Sequence, residues 1–440
     1  MQKIMRGKNK ILFIFFLTNF LILHAQQEVI ISLDEILSKA AENNYTIKIS
    51  EEDVNAAKAE YNQTKSVFLP NINASYSGIA TTNPLMAFGS KLNQGILTPG
   101  DFDPALLNDP DNTTNFATKF EIQQPIFNMD GFQMRKAAKS KLNAVELQSA
   151  RTADYMKLEI TKAYMQLQLA YKAVEVLESA KQAALANKKI ADDNFNQGYM
   201  QKADVLLVDI YATEVENQLQ NAKSNIKNAS DYVLFLIGET SEIALKPTKT
   251  LEAELDLNLY TTAFSINRAD IEAMEESTNA YEHMYKASKM SYVPSLNAFG
   301  SYEMYNKDIF EGNSGGYLVG AQLKWNVFEG FKRVGETQKT KAEFNKANLQ
   351  LDEYKSKSEL EFNKAKRDLK DAENSLHLNS LALEQSSESL RIRTNRFKEG
   401  LEKSSDLLIS ETQYLQKQLA YLQTVFNYNY TKAYVNFLTK

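Results

Sequence analysis

The sequence predicts an α+β chain that is duplicated internally, with very long helices framed by four short amphipathic strands. Three observations carry this. Eight prolines in 440 residues leave 126–246 and 295–440 free of proline, so helices of unusual length can run there without losing a backbone hydrogen bond. In the second stretch Phe362, Leu369, Leu376, Leu383, Leu390 and Phe397 recur every seven residues, with Ala365, Ala372, Asn379 and Ser386 three places later. That is the seam of a coiled coil. Elsewhere the period is two: Phe116, Thr118, Phe120 and Ile122 alternate with polar neighbours, as do Tyr317, Val319, Ala321, Leu323, Trp325 and Val327, the pattern of strands with unlike faces.

The elements follow in order. Residues 1–25 place Lys3, Arg6, Lys8 and Lys10 before the apolar run Ile11–Leu23 and the small residue Ala25, the layout of a signal peptide cleaved near Ala25. That run is shorter than the ~20 residues that cross a bilayer as a helix. Residues 26–238 form a first repeat: a helix over 34–68, a β-hairpin over 71–128, a long helix over 132–196, a glycine turn, and a returning helix over 203–237. Within the hairpin, Asn83 to Thr114 holds four prolines and three glycines and reads as a long exposed loop. A linker spans 239–267. The second repeat, 268–440, runs helix, hairpin 295–328, long helix 332–397, turn, helix 403–438.

Matched landmarks support the duplication. Phe68-Leu69-Pro70-Asn71 recurs as Tyr292-Val293-Pro294-Ser295, 224 residues on. Phe195-Asn196-Gln197-Gly198 with Asp204 recurs as Phe397-Lys398-Glu399-Gly400 with Asp406, 202 residues on, and the common order argues for repetition rather than chance. In the first long helix a weaker seam of Ile160, Leu167 and Val174, with Ala163 and Ala170, is expected to stop at Lys181 and Lys188.

Composition excludes several classes. There is no cysteine and only His24, His283 and His377, leaving little from which to build a thiolate or multi-histidine metal site or a catalytic triad. No Gly-x-Ser-x-Gly, His-Glu-x-x-His or phosphate-loop motif is present. The expectation is a chain that is not an enzyme and uses no cofactor or metal. Without residues 1–25, 46 basic side chains face 55 acidic ones, which argues against nucleic acid as a partner. Four amphipathic strands of about ten to twelve residues match transmembrane β-strands in length. They cannot close a barrel alone, so the chain must associate with copies of itself.

The duplicated helix-proline-strand junctions at Pro70 and Pro294, the stretch Arg268-Ala269-Asp270-Ile271, the helix from Ala163-Tyr164 to Phe195 and both Phe-x-x-Gly turns resemble the TolC-type family of outer-membrane efflux and secretion channels. The likeness covers nearly the whole mature chain. It departs at Ala269, where the family usually has proline, and at Ile409, where some members carry a second pore aspartate. The resemblance implies a homotrimer sharing a twelve-stranded β-barrel in outer-membrane lipid, continued by a periplasmic coiled-coil barrel. It also implies docking to a periplasmic adaptor (membrane fusion) protein served by an inner-membrane transporter. The alternative is a secreted or surface elongated coiled-coil protein without a pore, which leaves the strands unexplained.

Candidate sites lie at the turns. Gly198 and Gly400 must reverse long helices, a place for positive φ, and the resemblance makes Gly198, Tyr199, Gly400 and Leu401 the periplasmic tip that meets the adaptor. Asp406 and Asp204 have two readings: first-turn carboxylates favoured by the helix dipole, or a periplasmic constriction, as the family match of Asp406 implies. Asp204, Asp209, Glu399, Glu402, Asp406 and Glu411 together, opposed by Lys202 and Lys403, predict a cation-preferring narrow end. Trp325 is expected at the membrane interface.

Overall fold

The computed structural model describes residues 28–240, 243–255 and 263–440; the signal peptide expected over 1–25 lies outside the described residues. Two compact units each draw on both halves of the chain. One takes the described residues up to Ser50, Ala150–Arg268 and Lys357–Lys440, the other Glu51–Ser149 and Ala269–Ser356. Among the described residues no helix is long and apolar enough to cross a membrane.

The first unit is helical around a small parallel pair of strands, β1 (Val29–Ile31) and β4 (Leu245–Pro247). β4 falls in the stretch expected to be only linker. Ile31 and Leu245 are buried with Ile36, Ala40, Ile160, Leu167, Val233 and Ile237 in one core. The helix expected over 34–68 is broken: α1 (Leu33–Asn43) and α2 (Tyr45–Gln63) meet at Asn44, followed by a short 3-10 turn over Thr64–Val67. Asn44 is buried, and its Nδ2 donates to the carbonyl of Leu236 at 2.8 Å while its Oδ1 accepts from the backbone N–H of Thr46 and Ile47. One side chain thus caps the start of α2 and satisfies a carbonyl at the end of another helix, outweighing local helix propensity.

Between β3 (Thr113–Phe127) and β4 run α5 (Met129–Asn196) and α6 (Lys202–Leu236); α8 (Lys332–Lys398) and α9 (Ser404–Leu438) repeat the arrangement in the second half. On α8 the seven-residue track is inward: Phe362, Leu369, Leu376 and Phe397 are buried, Leu383 and Leu390 half-buried. Phe362, Leu369 and Leu376 share a core with Val425, Tyr428 and Val435 of α9, and each fully buried side chain of this size contributes roughly 1.5–3 kcal/mol. On α5 the seam does not stop. Its second track continues through Ala163, Ala170, Leu177, Ala184 and Ala191, all buried. Lys181 and Lys188 lie on the other track, where they pair with Glu216 and Asp209 of α6. Small residues let the helix backbones approach closely, so the expected break was a change of side-chain size, not of packing.

The second unit holds an antiparallel sheet in the order β2-β3-β5-β6, with β2 (Asn71–Thr81), β5 (Ser295–Asn306) and β6 (Ser314–Lys324). Ahead of β5 lies α7 (Ala269–Met290). β6 ends at Lys324, so Trp325 and Val327 follow the strand instead of forming part of it. The Asn83 to Thr114 connection is not an irregular loop. It contains α3 (Pro84–Asn93), a 3-10 turn at Pro99–Phe102 and α4 (Pro104–Asn108). Pro84 and Pro104 sit at the first helical position, where a missing N–H costs nothing, behind the capping residues Asn83 and Asp103.

Candidate channel and turn sites

Strand register decides which residues share a face of the sheet. Residues directly opposite in antiparallel pairs lie on the same side. The pairing aligns Ile72 with Ile122 and Gly300, and Ala74 with Phe120, Tyr302 and Tyr317. On the other side it aligns Ser75 with Lys119 and Glu303, and Asn73 with Glu121 and Ser301. All four strands therefore carry their alternation in phase, giving one face dominated by apolar and aromatic side chains and one that is mostly polar. On the polar face Lys119 Nζ lies 3.3 Å from Glu303 and 3.6 Å from Glu121. Among the described residues neither β2 nor β6 has a second neighbour in the sheet, and the side chains of both are almost entirely exposed. Trp325, 59% exposed, donates its indole N–H to the Tyr292 carbonyl at 3.1 Å.

The two turns of the first unit share one backbone solution. Gly198 has φ 80° and Gly400 φ 72°. In each, the glycine N–H reaches back three residues, to Phe195 or Phe397, at 3.0 Å, and the next N–H reaches back five, from Tyr199 to Asn194 at 2.8 Å and from Leu401 to Arg396 at 2.9 Å. This is the Schellman closure of a helix C-terminus, and it needs a residue that tolerates the left-handed region. Tyr199 and Leu401 project into solvent, 82% and 66% exposed.

The side chains around the turns differ. Glu402 is gripped by Arg393 at 2.6 Å and Arg396 at 2.8 Å, and these arginines hold its carboxyl below the usual glutamate range. The first turn has instead Lys202 over the Phe195 ring at 5.4 Å. Asp204 and Asp406 occupy the same place, the third residue of the returning helix, and both are half-buried. Among the described residues neither takes part in an ion pair or a side-chain hydrogen bond, so neither is a hydrogen-bonded cap. Glu411, on α9, is 6% exposed. Its Oε1 accepts from Asn187 Nδ2 of α5, its Oε2 has no partner among the described residues, and burial pushes the carboxyl up to about 7 against the opposing effect of Asn187.

Of the six carboxylates expected to charge the narrow end, Asp209 is therefore ion-paired, Glu402 doubly paired and Glu411 buried. Asp204, Glu399 and Asp406 remain. Sequence reasoning missed the special environment of Glu411, although the offset of 202 that matches the turns also matches Glu411 with Asp209.

Residues 36–239 and 263–437 match the family described as outer membrane efflux protein. Among curated proteins no match to this sequence is found. In fold the chain is similar to a membrane protein from Pseudomonas aeruginosa, 14% identical, with a TM-score of 0.79 over 93% of each chain. It is also similar to the Campylobacter jejuni CmeC outer membrane channel, 16% identical, with a TM-score of 0.78 over 92% of this chain and 85% of that one. The VceC outer membrane protein of Vibrio cholerae, 16% identical, gives 0.75 over 92% and 96%. With the family match spanning most of both repeats, on a fold shared with outer membrane channels, the chain belongs to the outer membrane efflux protein family and is an efflux channel of the outer membrane.

Proposed function

We propose that three copies of this chain share one twelve-stranded barrel, with the helical portion in the periplasm, and that the assembly receives cargo from an inner-membrane transporter through a periplasmic adaptor protein. The observation that carries this reading is the sheet of four in-phase strands with two open edges. An open edge in lipid leaves backbone N–H and C=O groups without partners, each costing several kcal/mol, and pairing β6 of one copy with β2 of the next removes every edge. The apolar face then meets lipid, the Lys119–Glu303 face lines the lumen, and Trp325 lies at the membrane interface. The exposed turns at Gly198, Tyr199, Gly400 and Leu401 form the adaptor contact, and Asp406, with Asp204, borders the periplasmic constriction.

Native mass spectrometry of the detergent-extracted protein is expected to give a trimer; a folded monomer would refute the shared barrel. Orientation is read separately. On intact cells a cysteine at Asn108 should react with an impermeant thiol reagent and one at Gln201 should not, and the reverse pattern would invert the topology.

A further inference from the structure

The two connections at the end of the sheet remote from Pro70 and Pro294 fold to opposite faces. Phe310, between β5 and β6, stacks on Tyr76 at 5.1 Å and donates its N–H to the Tyr76 hydroxyl at 2.9 Å. Tyr76 belongs to the apolar face, in register with Thr118. The β2–β3 connection goes the other way. Ala87, Ser90 and Gln94 form the buried side of α3 and the residue after it. Gln94 Nε2 donates to the Thr114 carbonyl at 2.8 Å and to Asn115 Oδ1 at 2.9 Å. Asn115 lies on the Lys119 face, and a Cβ placed on Gly95 would come within 3.8 Å of the Cβ of Ser314, on that same face. The connection is braced internally by Lys91–Asp101 at 2.8 Å and by Asp101 accepting from the Thr98 N–H at 2.7 Å. α3 is thus a fixed helix lying against the polar face.

Its opposite side is apolar. Leu85, Met86, Leu92 and, just beyond, Ile96 are exposed, Leu85 by 81%. Gly89 stands between them, with nothing within 4 Å of an added Cβ. Among the described residues such a helix face has no partner within its own chain. We propose that α3 of each copy lies inside the outer mouth of the barrel and that the apolar faces of three copies converge there as a hydrophobic constriction. This rests on the trimeric reading above. Symmetric closure of a barrel whose lumen is the polar face brings the three helices around one axis, and an apolar ring in a water-filled pore gates by excluding water.

The absence of cysteine makes single substitutions clean probes. In the intact trimer, Gly89→Cys treated with a short bis-maleimide should give covalent dimers that plateau near about two thirds of the chains, because only two of three thiols can pair. Leu85→Cys should do the same, and Asn108→Cys, on α4 and outside the apolar face of α3, should stay uncoupled. A trimer by native mass spectrometry in which both Gly89→Cys and Leu85→Cys remain uncoupled, and are alkylated as fast as Asn108→Cys, overturns the constriction. A monomer in that measurement overturns the shared barrel, and this inference with it.

Discussion

The turn at Gly198 and the turn at Gly400 have the same backbone and different electrostatics. Eleven residues beyond each glycine stands a matched carboxylate. Asp209 is half-buried and ion-paired, 2.5 Å from Lys188. Glu411 is enclosed, with one amide donor and one oxygen that has no partner. Tyr211 on α6 faces Glu411, and burial, then Glu411 and Glu214, raise its hydroxyl well above the usual phenol range. Duplication has copied the fold of the turn without copying its charge. The first repeat keeps its carboxylate paired with a lysine; the second holds one that burial biases toward the neutral acid near pH 7.

The largest test of this contrast is Glu411→Gln. In the folded protein the carboxyl titrates near 7, against about 4.3 when unfolded. A raised acid binds its proton more tightly when folded, so stability is highest below about pH 4.5, falls as pH rises toward 7, and stays reduced above, by about 3–4 kcal/mol. Glu411→Gln should remove that slope and stabilise the protein at pH 8 by a similar amount, whereas Asp209→Asn should leave the slope in place. Denaturation curves from pH 5 to 8 decide it; parallel slopes in wild type and Glu411→Gln would show that Glu411 is not the buried acid.

The shared backbone is tested by Gly198→Ala and Gly400→Ala. Nothing lies within 4 Å of either added Cβ, so only the left-handed φ is penalised, at about 1 kcal/mol in each. Clearly unequal losses would mean that the turns are held differently.

The smallest stability effect belongs to the two aspartates. Asp406→Ala and Asp204→Ala should each cost less than about 1 kcal/mol, the value of a first-turn carboxylate. Asp406→Ala should also weaken cation preference, read from planar-bilayer reversal potentials in a salt gradient. Identical potentials would remove Asp406 from the pore and leave it a helix-start charge.

What the sequence showed and what it hid divide along physical lines. The Phe362 to Phe397 track was legible because large side chains at a fixed period leave one interpretation. The continuation through Ala184 and Ala191 was hidden because alanine is equally common on exposed helix faces. The break at Asn44 depends on the Leu236 carbonyl, 192 residues away, and no local pattern encodes it. The helices within 83–112 were readable in principle: Asn83-Pro84 and Asp103-Pro104 are cap-and-first-position pairs, but a high density of proline and glycine suggested a loop. Among the site residues, the positive φ of both glycines followed from the need to reverse a helix. The burial of Glu411 did not, because it comes from the helices around it and not from its neighbours in sequence.

The pairing of β3 with β5 has a consequence for the order of events in folding. β2 and β3 form a hairpin from nearby sequence, as do β5 and β6, but Phe116 meets Asn306 and Ile122 meets Gly300 across some 180–190 residues. A chain emerging from its N-terminus completes the first hairpin while the partner of β3 does not yet exist. Until the second repeat arrives, that hairpin holds two open edges instead of one, and such long-range pairing forms slowly. The β3 edge is then a template open to the β5 of any neighbouring copy. Joining the two repeats within one chain therefore competes with exchange between chains, and the long helices must keep the halves together until β5 arrives.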